Sequence, residues 1–90
     1  MTGEAYLIGR VRRDAAGRIP HVGWYPRKSP PVCLEVDVAV VIAALRDGAQ
    51  AHVVIATIIG RRVQVSPDGT TIVDSPELTK PFGLRDVPPI

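Results

Sequence analysis

One segment of this chain carries both a helix start and a helix stop. Asp37 is a good N-cap, Gly48 is a good C-terminal stop, and Arg46 stands in the last turn, where a cation suits the helix dipole. These signals predict a helix over about residues 38–47, with Val38, Val41, Ile42 and Leu45 as its core face. Ala39, Val40, Ala43 and Ala44 cover much of the remainder, so only Arg46 and Asp47 are charged. A helix apolar on nearly all sides wants cover on more than one of them. One sheet supplies one cover, and a second copy of the chain is expected to supply another.

Strand-like segments flank this run. Residues 5–13 and 18–25 read as two strands joined by Asp14-Ala15-Ala16-Gly17, where Gly17 can take the positive φ of a hairpin loop. Residues 26–31, PRKSPP, form a loop, because three prolines in six positions prevent regular structure. Leu34, Val36 and Val38 alternate with Glu35 and Asp37, which suggests a short extended stretch at 32–36. Residues 50–59 are nearly continuously apolar and rich in β-branched side chains, as in a strand buried on both faces. Gly60-Arg61 is expected to turn the chain into a strand at 62–66. Ser66-Pro67-Asp68-Gly69-Thr70 is a strong turn signature before a last short strand at 70–73. The tripeptides Ile8-Gly9-Arg10 and Ile59-Gly60-Arg61 match, but three residues are too few to mark a duplication.

The expected fold is therefore α+β: a small antiparallel sheet in the order ββαβββ, packed by one helix. Residues 1–74 form the domain, and residues 75–90 form a proline-rich tail that is either packed or mobile. Phe82, Leu84, Val87 and Ile90 give that tail apolar handles.

Composition narrows the function classes. Ninety residues support one domain. The 46% hydrophobic content is enough for a core, but the 4% aromatic content argues against a large aromatic-lined ligand pocket. Cys33 is the sole cysteine, so there is neither an intrachain disulfide nor a cysteine cluster for a metal, and it reads as a small buried apolar residue. The N-terminus lacks the pattern of a secretory signal, and no apolar run approaches the roughly 18 residues of a membrane span. A soluble cytoplasmic protein is expected. The net charge is +2, unevenly spread: residues 1–28 hold six cations and two acids, residues 29–90 five cations and seven acids.

Arg18 to Gly23, Val41-Ile42 with Leu45 before Asp47-Gly48, Val63 and Val65 before Asp68-Gly69-Thr70, and finally Leu84 to Pro88 together resemble a family of small bacterial and phage domains of unknown function. The resemblance covers most of the chain and implies a fold of this length and element order. That family carries no agreed activity or site residues. The chain departs from it at Thr71-Ile72-Val73 and Pro81-Phe82-Gly83, where the family tends to show a Tyr-Leu pair and paired asparagines.

Two clusters are candidates for binding. Trp24 and Tyr25 beside Arg27 and Lys28 combine residue types that dominate protein interfaces. The plainer reading caps the core with Trp24 and leaves the two cations solvated. Arg10, Arg12, Arg13 and Arg18 on the first hairpin suggest an anion surface, on which Trp24 and Tyr25 would stack bases. Against this stands the absence of any recognised nucleic-acid motif. His21 and His52 have no metal-ligand spacing, and no nucleophile has a base beside it. No catalytic residue, metal or cofactor is expected. The reading that follows is a non-enzymatic accessory or inhibitor-type protein, homodimeric, acting through contacts with an unidentified protein partner. A nucleic-acid or nucleotide-binding module using the basic hairpin is the alternative.

Overall fold

The computed structural model describes residues 4–28, 30, 32–76 and 80–90. Among them, six strands and one α-helix follow in the order βββαβββ. The strands are β1 (Ala5–Arg12), β2 (His21–Pro26), β3 (Leu34–Asp37), β4 (Gln50–Ile55), β5 (Ile58–Val65) and β6 (Ile72–Asp74); helix α1 spans Val38–Arg46, and a 3-10 turn spans Leu84–Asp86. The strands lie in one sheet in the order β3-β2-β1-β4-β5-β6. Its central pair, β1 with β4, is parallel, and the other pairs are antiparallel.

This corrects the expected antiparallel ββαβββ sheet. The extended stretch before the helix is a full strand, β3, paired to β2. Strands β3 and β4 then point the same way, and a parallel return requires a crossover, which α1 provides. The helix begins directly after β3, with Asp37 accepting from the Ala39 N–H at 2.8 Å, and Gly48 ends it at φ 100°.

Val38, Val41 and Ile42 of α1 pack onto Ile8, Val11, Val22, Trp24, Ala51, Val53 and Val63 in the main core. Leu45 is half-buried against this core. Ala39, Val40 and Ala43 face outward, so within the described chain the helix is covered on one side only. Alanine methyls expose little area, which makes such a helix tolerable without a second cover. The opposite sheet face carries a smaller cluster of Leu7, Tyr25 and Val54, with Ile59 packed on it.

The expected turn at Gly60-Arg61 lies elsewhere. The chain reverses at Ala56-Thr57, with Ala56 at φ 55°, and Gly60 and Arg61 belong to β5. Both Ile-Gly-Arg tripeptides mark register shifts. One lies between Ile8 and Arg10 in the β1–β2 pairing; the other falls where His52 pairs with Arg62 but Val54 with Ile59, leaving Gly60 and Arg61 as the longer side. Such bulges leave backbone groups without a ladder partner. Here the C-terminal segment takes them up. Phe82 accepts from the Arg61 N–H at 2.8 Å, Pro88 accepts from the Val11 N–H at 3.1 Å, and the Ile90 N–H donates to Val11 at 3.0 Å. Leu84 and Val87 enter the main core.

Replacing Ile42 with Ala should destabilise the fold by roughly 2–4 kcal/mol, read by chemical denaturation. A loss within measurement error would mean that α1 is not seated on the sheet. Gly60 makes a sharper test of the C-terminal seat. A Cβ there would lie 2.5 Å from both the ring and the backbone oxygen of Phe82. Gly60→Ala should therefore cost about 1–3 kcal/mol. It should also speed amide exchange at Val11 and Ile90, and unchanged exchange would show that the segment is held by other contacts.

Candidate functional site

The four hairpin arginines do not converge. Arg12 pairs with Glu35 at 3.3 Å, and Arg13 donates to the Leu84 carbonyl at 2.7 Å. Arg18 reaches across to the β5–β6 turn, where it donates to the Asp68 carboxylate at 2.5 Å and to the Thr70 hydroxyl. Arg10 projects from the helix-free face. Three of the four guanidiniums are thus occupied within the chain, each holding a different neighbour in place.

The aromatic pair is also separated. Trp24 and Tyr25 are consecutive in β2, so their side chains leave opposite faces of the sheet. Trp24 is 7% exposed and stacks on Tyr6, with ring centroids 4.1 Å apart. Tyr25 is 8% exposed beside Leu7 and Val54, where burial pushes its hydroxyl pKa up, with Cys33 adding to the shift. Arg27 and Lys28 remain exposed in the following turn. Of the expected aromatic-basic patch, only the two cations are on the surface.

Cys33 is exposed, contrary to the buried position expected of it. It precedes an edge strand, and no further strand covers that edge among the described residues. Its side chain leans over two glycines. A Cβ at Gly9 would lie 3.1 Å from the Cys33 sulfur, and one at Gly23 would lie 3.3 Å from the Cys33 Cβ. Together Gly9, Arg10, Tyr25, Cys33, Val54 and Ala56 line an open groove of about 350 Å³. It presents a guanidinium, a thiol and a phenol, with no histidine or carboxylate among its lining residues. Among the described residues, no group of three or more His, Cys, Asp or Glu side chains could hold a metal, and no helix is long and apolar enough to cross a membrane.

The feature that sequence reading missed is the edge itself. Val32 is 64% exposed, Leu34 62% and Val40 50%, a concentration of large apolar side chains on and around β3. Leu34 pairs with Trp24 and Val36 with Val22, which places both on the helix side of the sheet. The backbone phase follows from one bond. The Val38 N–H donates to Pro20 at 2.8 Å, so the alternation of an antiparallel ladder turns Val36 and Leu34 toward β2. The N–H and C=O groups of Glu35 and Asp37 then point outward, where another strand would pair. The alternation of Leu34, Glu35, Val36 and Asp37 was visible in the sequence, but alternation cannot say whether a strand is central or at an edge.

The Arg18 contact makes a pH prediction. The Ser66 hydroxyl, then the Thr70 hydroxyl and N–H, donate to Asp68, and Arg18 lies beside it; together they hold its carboxyl far below its ordinary value of 3.8. A carboxylate depressed on folding adds stability above its unfolded pKa and loses it as pH falls toward the folded value. Stability should therefore drop below about pH 4, and Asp68→Asn should flatten that part of the profile. An unchanged profile in the variant would assign the acid sensitivity to other groups.

Compared with known proteins, the chain matches no protein-family model, no curated protein and no solved structure.

Proposed function

We propose that this protein is a small non-enzymatic binding protein that acts through protein–protein contact at the outer edge of β3. One observation carries the reading: the edge has outward backbone groups and bears the exposed apolar side chain of Leu34, with Val32 exposed just before it. Main-chain bonds along such an edge supply affinity, and alternate side chains supply selectivity. The acidic Glu35 and Asp37 on the same strand limit which strands it accepts. The nucleic-acid reading has less support, because Arg12, Arg13 and Arg18 already hold partners within the chain.

Leu34→Glu tests the reading without burdening the core, since Leu34 is largely exposed. The variant should keep its melting transition within a few degrees, because surface substitutions usually change stability by about 0.5 kcal/mol or less. Affinity capture from the native host with the tagged wild-type protein should retain a protein that the variant loses. Equal recovery by both forms would move the binding surface away from β3. Recovery that disappears on nuclease treatment would favour the basic hairpin instead.

A further inference from the structure

We infer that the groove on the helix-free face is a site for a small oxyanionic disulfide, whose acid group is held by Arg10 and Tyr25 while its sulfur exchanges with Cys33. This goes beyond the reading of β3 as a protein-binding edge and stands whether or not that edge is used.

The β1 bulge and two missing side chains make the groove. Ile8 and Val11 both enter the helix-side core, so the irregularity between them leaves Gly9 and Arg10 to the other face. Gly23 pairs with Arg10 and lies between Val22 and Trp24, which also enter that core, so it too belongs to the helix-free face. Cys33 lies over both glycines. A Cβ at Gly9 would stand 3.1 Å from its sulfur, and one at Gly23 would stand 3.1 Å from the Arg10 Cβ and 3.3 Å from the Cys33 Cβ. Bare backbone therefore floors the groove, and the Arg10 and Cys33 side chains rise from it as neighbours.

Two donors line this groove with nothing in the described chain to receive them. Arg10 is exposed and makes no hydrogen bond or ion pair among the described residues. Glu35 pairs with Gly23 and shares its face, but Arg12 takes that carboxylate at 3.3 Å. Tyr25 is 8% exposed, and its hydroxyl has no hydrogen-bond partner among the described residues. The Cys33 thiol is close enough to add to the upward shift of its pKa, which sets the hydroxyl on the groove side. A hydroxyl enclosed without a partner costs free energy until one is supplied. A guanidinium and a phenol with no carboxylate between them are both satisfied by an oxyanion.

The thiol narrows the class. A simple carboxylate or phosphate would use the two donors and leave the sulfur idle, whereas a disulfide bearing an acid group engages all three. Cys33 is exposed, so its thiolate can reach an incoming sulfur. It attacks one sulfur of the disulfide, that S–S bond breaks, and a new one joins Cys33 to the retained half. The other half leaves as a thiolate and takes up a proton, replacing the one that Cys33 gave to solvent. Cys33 is oxidised to a mixed disulfide and the leaving half is reduced to a thiol, so the disulfide is itself the oxidant. The groove, about 350 Å³ and open to solvent, leaves a way out for the departing half.

Two probes separate this site from simple exposure. Oxidised glutathione carries carboxylates, and hydroxyethyl disulfide carries no charge. Each is added in excess to the full chain, and adduct formation is followed by intact mass; Cys33 is the sole cysteine, so every mixed disulfide reports it. Arg10→Gln should slow the reaction with oxidised glutathione about tenfold, the size of one charge-assisted hydrogen bond, and leave the neutral probe within about twofold. Tyr25→Phe removes the hydroxyl and keeps the ring, and it should slow the anionic probe alone by about threefold. Arg46→Gln removes a cation from the far end of α1, on the other side of the sheet, and should change either rate by no more than about twofold.

No adduct from oxidised glutathione overturns the inference. So does unchanged selectivity between the probes in Arg10→Gln or in Tyr25→Phe, which would leave Cys33 as an exposed thiol without a site. Equal slowing of both probes overturns it as a general loss of reactivity, and an Arg46→Gln effect as large as that of Arg10→Gln overturns it as an effect of net charge.

Discussion

The parallel pairing of β1 with β4 is the constraint on which the rest of this fold depends. Parallel neighbours cannot be joined by a tight turn. The chain must leave the sheet after β3, cross one face and return beside β1, and α1 is that crossing. Asp37 ends the edge strand and caps the helix, so the edge ends and the helix starts at the same residue. The crossover covers one face with Val38, Val41 and Ile42, and β3 remains an outer strand paired, among the described residues, on one side only, to β2.

The two bulges decide how the C-terminal segment is used. Pairing of β1 with β4 runs from Ala5 to Ile8 and stops at the Gly9 irregularity. Beyond it Val11 bonds to Pro88 and Ile90, so the segment extends the pairing that β4 abandons. Proline suits this place because its carbonyl still accepts while its missing N–H is not needed. On β5, Gly60 gives the Phe82 ring and carbonyl the space a side chain would fill. A segment rich in proline and without periodicity becomes part of the core through the space at Gly60 and the backbone groups of Val11 and Arg61.

The same economy governs the cations. Arginines that look like a patch in sequence are distributed by the hairpin geometry to Glu35, Leu84 and Asp68, which lie in three separate parts of the chain. Each crosslinks the first hairpin to a later segment. Exposed ion pairs of this kind add little energy individually. Their larger effect is that these three guanidiniums point to separate partners within the chain and form no single cluster.

Much of this was legible in the chain. Asp37, Gly48 and the spacing of Val38, Val41 and Ile42 marked the helix, and Gly17 and Asp68-Gly69 marked turns, because caps and turns act over a few neighbouring residues. The tripeptides around Gly9 and Gly60 were visible too, although only the paired strands show that both are bulges. Tertiary structure alone decided that β4 lies parallel to β1, that the reversal falls at Ala56-Thr57, that Cys33 is on the surface and that Trp24 and Tyr25 part to opposite faces. It also decided that β3 is an edge. Periodicity reports which side chains share a face, whereas neighbours, direction and exposure depend on segments distant in the chain. That is why the local elements were written in the sequence and the position of β3 at the sheet edge was not.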